Sequence, residues 1–361
     1  MKKVVLILLS LVLAMWTMSA GSDRRHKLKA VRKHKEAVHI TDGWIRDPYI
    51  VLGPDDTYYL VGTVPVEGDP REMSDRNNTG LGSGSIVGGQ LRLWKSDNLV
   101  DWEYLGVKYN VADSPNHSTD KRRNLLWAPE LHWMDSVWVM VHCPSNSSTL
   151  AFNSDYQLNA QWRFPEHGKF RSKHDPSLFI DDDKVYLIHG YHETLVLPIK
   201  KDFSGFESRQ VEISPADRVI GHEGMTIMKI GGKYVFFGTA WSTDQARKGS
   251  YNLYYCTSDN VYGPYTERRF VGRFLGHGTP FMDKSGNWWC TAFYNANVPT
   301  LPKDGIEDRN LSEDAQTINE VGTTIVPLEV RILKDGDILI RAVDRHYRNP
   351  GPDEVQQFEK L

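Results

Sequence analysis

A chain of 361 residues, 40% hydrophobic and 25% charged, is long enough to form one large domain, or two ordinary ones, around a packed core. A formal charge of −3 excludes a global electrostatic pull toward nucleic acid or anionic lipid. The three cysteines, Cys143, Cys256 and Cys290, are odd in number and form no C-x-x-C pair; this argues against a disulfide framework or a metal site and predicts buried free thiols.

Lys2 and Lys3 precede an apolar run from Val4 to Met18, followed by the small residues Ser19, Ala20 and Gly21. This is the layout of a secretory signal peptide over residues 1–21, and it predicts a periplasmic or secreted protein with no membrane attachment after cleavage. No cysteine follows the run, so a lipoprotein anchor is not expected. Residues 22–39 are basic and predict a solvated arm or short helix, with a homodimerisation arm as the alternative. No nucleic-acid module surrounds them.

From Arg46 onward one design recurs five times: an apolar strand, a tight polar turn, then an apolar or aromatic strand. The segments are RDPYIVLGPDDTYYLVGT, APELHWMDSVWVMVHC, HDPSLFIDDDKVYLIHG, HEGMTIMKIGGKYVFFGTAW and HGTPFMDKSGNWWCTAFYN. Further strand-like sequence follows each, and no long amphipathic helix intervenes. A repeat of about 45–50 residues with about four strands predicts an all-β, five-bladed β-propeller. Its expected bounds are 40–348, with 349–361 as a C-terminal tail. Two insertions, PVEGDPREMSDRNNTGLGSGSIVGG and NVADSPNHSTDKRRNLL, lengthen the first interval and are expected to wall a pocket.

The innermost strand of a propeller blade lines the central channel. The leading polar residues Asp47, Glu130, Asp175, Glu223 and His277 are therefore expected to converge on one funnel. Crowded carboxylates shift one another's pKa values, which is the physical signature of a catalytic site. Trp44, Trp127 and Trp241 flank these motifs and are candidates to stack on sugar, against the default of core packing. Arg46 is placed either to clamp a substrate group or to hold Asp47 ionised. Glu130 is placed either to bind substrate or to pair with an arginine.

With RDPYI, HDPSLF, GHEGMTIMKIGGKY, WAPEL and GHGTPF in order, one per blade, the sequence resembles the five-bladed furanosidase superfamily that contains glycoside hydrolase families 43 and 117. The resemblance implies a secreted glycoside hydrolase that needs no cofactor and acts on an oligosaccharide. It implies Asp47 as the base that activates water, Asp175 as the carboxylate that tunes the acid, and Glu223 as the acid. His277 would be the axial histidine near a calcium-like cation. Here the acid motif is His222-Glu223-Gly224-Met225 rather than Glu-Gly-Pro, which is closer to family 117 and leaves both His222 and Glu223 open as the donor. The family includes hydrolases of 3,6-anhydro-L-galactose, arabinose and xylose linkages, and an inverting, exo-acting enzyme is expected. The other classes are a non-catalytic glycan-binding propeller and a phosphorylase or transferase. The latter would hold phosphate through Arg122, Arg123 or Arg247.

Overall fold

The structure, a computed structural model, describes residues 22–74, 86–115, 117–120, 123–144, 148–166, 170–220, 223–292, 304–311 and 322–358. The expected signal peptide, His222, Arg122 and residues 75–85 of the first insertion lie outside the described residues.

Five antiparallel sheets form the five blades. Blade one is β2 (Arg46–Leu52), β3 (Tyr58–Thr63), β4 (Gln90–Ser96) and β5 (Glu103–Asn110). Blade two is β6 (Leu126–Met134), β7 (Val137–Pro144) and β8 (Leu150–Asn153). Blade three is β9 (Ser177–Asp181), β10 (Lys184–His189), β11 (Thr194–Ile199) and β12 (Val211–Ile213). Blade four is β13 (Thr226–Ile230), β14 (Lys233–Trp241), β15 (Tyr251–Ser258) and β16 (Arg269–Gly272). Blade five is β17 (Pro280–Met282), β18 (Trp288–Ala292), β19 (Thr323–Ile332) and β20 (Ile338–Ala342), completed by β1 (Val38–Thr41). Each of the five sequence repeats is the innermost hairpin of one blade.

The second strand of each blade is an unbroken apolar run because both of its faces are buried. Alternate side chains point to opposite neighbours. In β3, Tyr58 and Leu60 join a cluster with Phe281 and Trp289 of blade five, while Tyr59 and Val61 join Leu131 and Met140 of blade two. In β7, Val139 and Val141 turn instead to Leu178 and Leu187 of blade three. In β10, Tyr186 and Ile188 pack with Ile227 and Phe236 of blade four. In β14, Val235 and Phe237 meet Val326 and Ile338 of blade five. Five interblade cores thus follow one another around a ring.

The ring is closed by the earliest strand in the chain. β1 pairs with β19, Val38 opposite Ile325. The sheet structure therefore begins at Val38, inside the segment expected to be a solvated arm or short helix. Residues 22–33 are helical and pack on the chain's own blades. Ala30 is buried in the core between blades five and one, Arg24 donates to Asp101 at 2.6 Å, and His34 Nε2 lies 2.7 Å from the Trp288 carbonyl. No described helix is long and apolar enough to cross a membrane. The three thiols are free, with Cys256 and Cys290 buried and Cys143 half-buried.

Candidate active site

One left-handed residue stands at the mouth of every innermost strand: Asp47 (φ 47°), Ala128 (φ 44°), Asp175 (φ 39°), Gly224 (φ 62°) and His277 (φ 58°). Four of these are not glycine, and such a conformation costs about 1–3 kcal/mol each, so the surrounding structure must impose it. The ladder shifts register at the same place, between Arg46 and Tyr49 in blade one and between Trp127 and Glu130 in blade two. Hydroxyls tie the kinks together across blades. Thr63 Oγ1 donates to Asp47 Oδ2 at 2.7 Å and accepts from the Ala128 N–H at 2.7 Å. Thr291 Oγ1 donates to the Pro48 carbonyl at 2.6 Å.

These kinks correct the expected five-fold equivalence. Asp47, Asp175 and His277 occupy matching positions; in blade two that position is Ala128, and in blade four it is Gly224. Glu130 sits two residues further in, and Glu223 one residue outward. All five kink residues line one cavity of about 360 Å³, together with Tyr49, Glu130, Pro176, Thr226 and Thr279. Glu130, placed by sequence either to bind substrate or to pair with an arginine, lines the cavity and is paired with His132 Nε2 at 2.8 Å.

At the centre is an alternating chain of acids and imidazoles. His277 places Nδ1 3.3 Å from Asp47 Oδ1 and Nε2 2.8 Å from Asp175 Oδ2. His174 Nε2 lies 3.7 Å from Asp175 Oδ2 and 3.6 Å from Glu223 Oε2. The Tyr251 hydroxyl donates to Glu223 Oε1 at 2.9 Å, and Thr239 Oγ1 donates to the Glu223 carbonyl at 2.6 Å. The inner half is dry: Asp47, Asp175 and His277 side chains are about a tenth exposed or less, against 37% for Glu223 and 41% for His174.

Burial raises the pKa of Asp47, and the charges of His277 and Arg46 only partly offset it. Burial would lift Asp175 too, but the charge and hydrogen bond of His277, joined by His174, outweigh it and hold the carboxyl below its ordinary value. Glu223 is likewise lowered, burial being overcome by His174, His277 and Tyr251. Burial alone would lower His277; the charges of Asp47 and Asp175 reverse that and hold it at about 10. Burial also acts to lower His174, which Cys143, Glu223 and Asp175 raise to about 11.

Several expected residues sit elsewhere. Trp241 is only 6% exposed and packs on Tyr251 with ring centroids 4.7 Å apart, so its face is not offered to a sugar. Trp127 packs beside Trp44, Ile86 and Val87 and does not line the cavity. Arg46 is 4% exposed, and its charge pulls the Asp47 pKa down against the larger effect of burial. Both ring nitrogens of His277 face carboxylates, Asp47 and Asp175. Reading the sequence also passed over His174 and Tyr251. The first looked like a mere flank of Asp175-Pro176, and the second lies a strand away from any motif.

The family described as glycosyl hydrolases family 43 matches residues 39–310. Among solved structures, the endo-1,4-beta-xylanase from Bacteroides thetaiotaomicron VPI-5482 is similar with a TM-score of 0.55 at 19% identity, covering 83% of this chain and 94% of that one. A GH43 enzyme from Xanthomonas citri complexed with xylose gives a TM-score of 0.59 at 14% identity, covering 89% and 97%. An exo-1,5-alpha-L-arabinanase from a bovine ruminal metagenomic library gives 0.54 at 15% identity, covering 83% and 97%. Identities this low speak to the fold. No curated protein matches the sequence.

Proposed function

This chain belongs to glycosyl hydrolase family 43 and is a glycoside hydrolase; on that premise we propose that it is an exported, inverting, exo-acting enzyme with Asp47 as base and Glu223 as acid. The observation that carries this reading is the order of groups along the site: Asp47, His277, Asp175, His174, Glu223. Ligand atoms of His174, Asp175 and Glu223 all lie within 4.8 Å of one another. Inverting acid and base groups stand about 6.5–9.5 Å apart to leave room for water. Asp175 and Glu223 are too close for that, which leaves Asp47, beyond His277, as the carboxylate opposite the acid. Its raised pKa makes it a stronger base than an ordinary aspartate. Asp175, held ionised by His277, sets the charge beside which the proton is delivered through Glu223.

In the proposed step, Asp47 takes a proton from water as the oxygen attacks the anomeric carbon. The C–O bond breaks, its electrons pass to the leaving oxygen, and that oxygen is protonated from the Glu223 side. No lysine or arginine is among the described residues lining the cavity, which favours water over phosphate as acceptor. The neighbours named for xylan and arabinan chemistry favour a pentose, with anhydro-L-galactose the other candidate. Export rests on residues 1–21.

The test is product analysis on xylan, arabinan, agar and carrageenan oligosaccharides. Monosaccharide release with inverted configuration, seen by NMR of the first-formed anomer, is the expected result. Release of mid-chain fragments alone refutes exo-action, and a retained anomer refutes Asp47 as an inverting base. Parallel His222→Gln and Glu223→Gln variants identify the donor: the one that regains activity with an activated aryl leaving group has lost it.

A further inference from the structure

The sequence directs attention to the histidine beside Glu223 in the chain, His222. Among the described residues, the fold brings His174 to the carboxylate. We infer that His174 is the positioning residue that stores the proton Glu223 delivers, so that the donor is a His174–Glu223 pair rather than a lone carboxyl. This rests on the reading of Glu223 as the acid and deepens it.

The argument starts from crowding. Asp175 and Glu223 bring carboxylate oxygens within 4.8 Å of each other. Two carboxylates so close do not both stay ionised without a proton or a cation between them. Asp175 cannot readily take up the proton. Its Oδ2 accepts from His277 at 2.8 Å, and the Gly224 N–H also donates to it. The proton therefore falls to the outer pair. His174 Nε2 stands almost equally far from both acids, at 3.7 and 3.6 Å, and among the described residues has no other hydrogen-bond partner. Those distances are slightly long, as is common for catalytic contacts before substrate draws them together.

The ring is held for this purpose. Tyr191 packs against it with centroids 5.0 Å apart, and the Cys143 thiol lies within reach of it. The groups facing it are Asp175, Glu223, Cys143 and Tyr191, with His277 behind Asp175 and Tyr251 behind Glu223. Their combined effect holds the imidazole protonated well above neutrality, at about 11, while Glu223 is lowered. At rest the single proton sits on Nε2. As the glycosidic bond breaks, Nε2 gives it up to Glu223 and Glu223 gives a proton to the leaving oxygen, so His174 ends neutral and Glu223 ionised. Asp47 has meanwhile gained the proton of the attacking water and returns it to solvent. His174 Nε2 is itself covered, so its proton returns by way of Glu223, whose side chain is 37% exposed.

The experiment compares pH profiles of kcat/KM for wild type, His174→Gln and Glu223→Gln on an oligosaccharide substrate and on an aryl glycoside with a good leaving group. The proposal expects His174→Gln to move the alkaline limb on the oligosaccharide down by about 2 pH units or more, toward the range of a buried carboxyl. It expects aryl glycoside rates to stay within about threefold, because that leaving group needs little protonation. An unmoved limb, or an equal loss on both substrates at every pH, overturns it. If Glu223→Gln fails to recover on the aryl glycoside while His174→Gln does, the acid is His174 itself and the reading of Glu223 is the part that fails. A readout that needs no variant is the nitrogen NMR shift of His174 in the wild-type protein. An imidazolium at pH 8 supports the stored proton, and a neutral ring at that pH refutes it.

Discussion

At the scale of single residues, the site works because its charges alternate. Asp47→Asn keeps shape but cannot accept a proton. Turnover should fall about 10²–10⁴-fold while sugar still binds, as read by single-turnover kinetics beside calorimetric titration. His277 makes a second prediction. Its positive charge is one of the forces pulling the Asp47 pKa down. In His277→Gln that pull is gone, so the acid limb of kcat/KM should move to higher pH. Stability should change as well. A histidine whose folded pKa is raised contributes fully below its unfolded value, about 6.5, and loses that contribution as pH rises through the folded value, about 10. Denaturant titrations should therefore find wild type and variant furthest apart below about pH 6.5, closing through neutral and alkaline pH and converging above pH 10. An acid limb that stays in place or moves down would refute the coupling.

Among elements, the innermost hairpins were legible in the sequence because each carries its own turn and its own alternation. Gly53-Pro54-Asp55-Asp56 and Gly231-Gly232 announce theirs. The closing strand β1 was not legible, since VHIT is four residues whose partner, β19, lies near the other end of the chain. The kinks were half legible. Asp47 and Asp175 precede proline and were found, but Ala128 bears no polar group, so Glu130 was taken as its blade's equivalent. In blade four the left-handed position belongs to Gly224, where only glycine fits. A Cβ there would sit 2.8 Å from His277 Cδ2. Gly224→Ala should push the imidazole off Asp175 and lower kcat on oligosaccharide, with a crystal structure showing His277 displaced. An unmoved ring and unchanged rate would show the kink to be incidental. For ring closure, Ile40→Ala should cost about 2–5 kcal/mol in chemical denaturation, because Ile40 is 4% exposed between blades five and one.

In the whole molecule, the first and last described segments are both fastened to the ring, and the C-terminal fastening touches the blade that carries the acid. Asp353 is fully buried and accepts from Ser242 Oγ at 2.6 Å, from the Ser250 N–H at 2.8 Å and Ser250 Oγ at 2.6 Å, and from Arg273 at 2.6 Å. Glu354 accepts from Tyr254, and Phe358 stacks near Tyr254 and Phe270. The segment expected to be a tail is thus a strap across blade four. Ser242 and Ser250 are sequence neighbours of Trp241 and Tyr251, the stacked pair whose hydroxyl holds Glu223. Loosening the strap should therefore reach the acid without touching the cavity. Removing one partner of a buried ion pair costs about 3–5 kcal/mol, and Asp353→Ala should lose stability on that scale. Arg273 and Ser250 offset the burial cost and hold the Asp353 pKa below its ordinary value. Its contribution is then present above about pH 3.9 and lost as pH falls through the lower folded value. Wild type and variant should differ at pH 7 and converge in strong acid. Loss of kcat on the oligosaccharide, with the aryl glycoside spared, would place the fault at Glu223. Equal loss on both substrates would mean that blade four as a whole has shifted, and the strap would be a stability device alone.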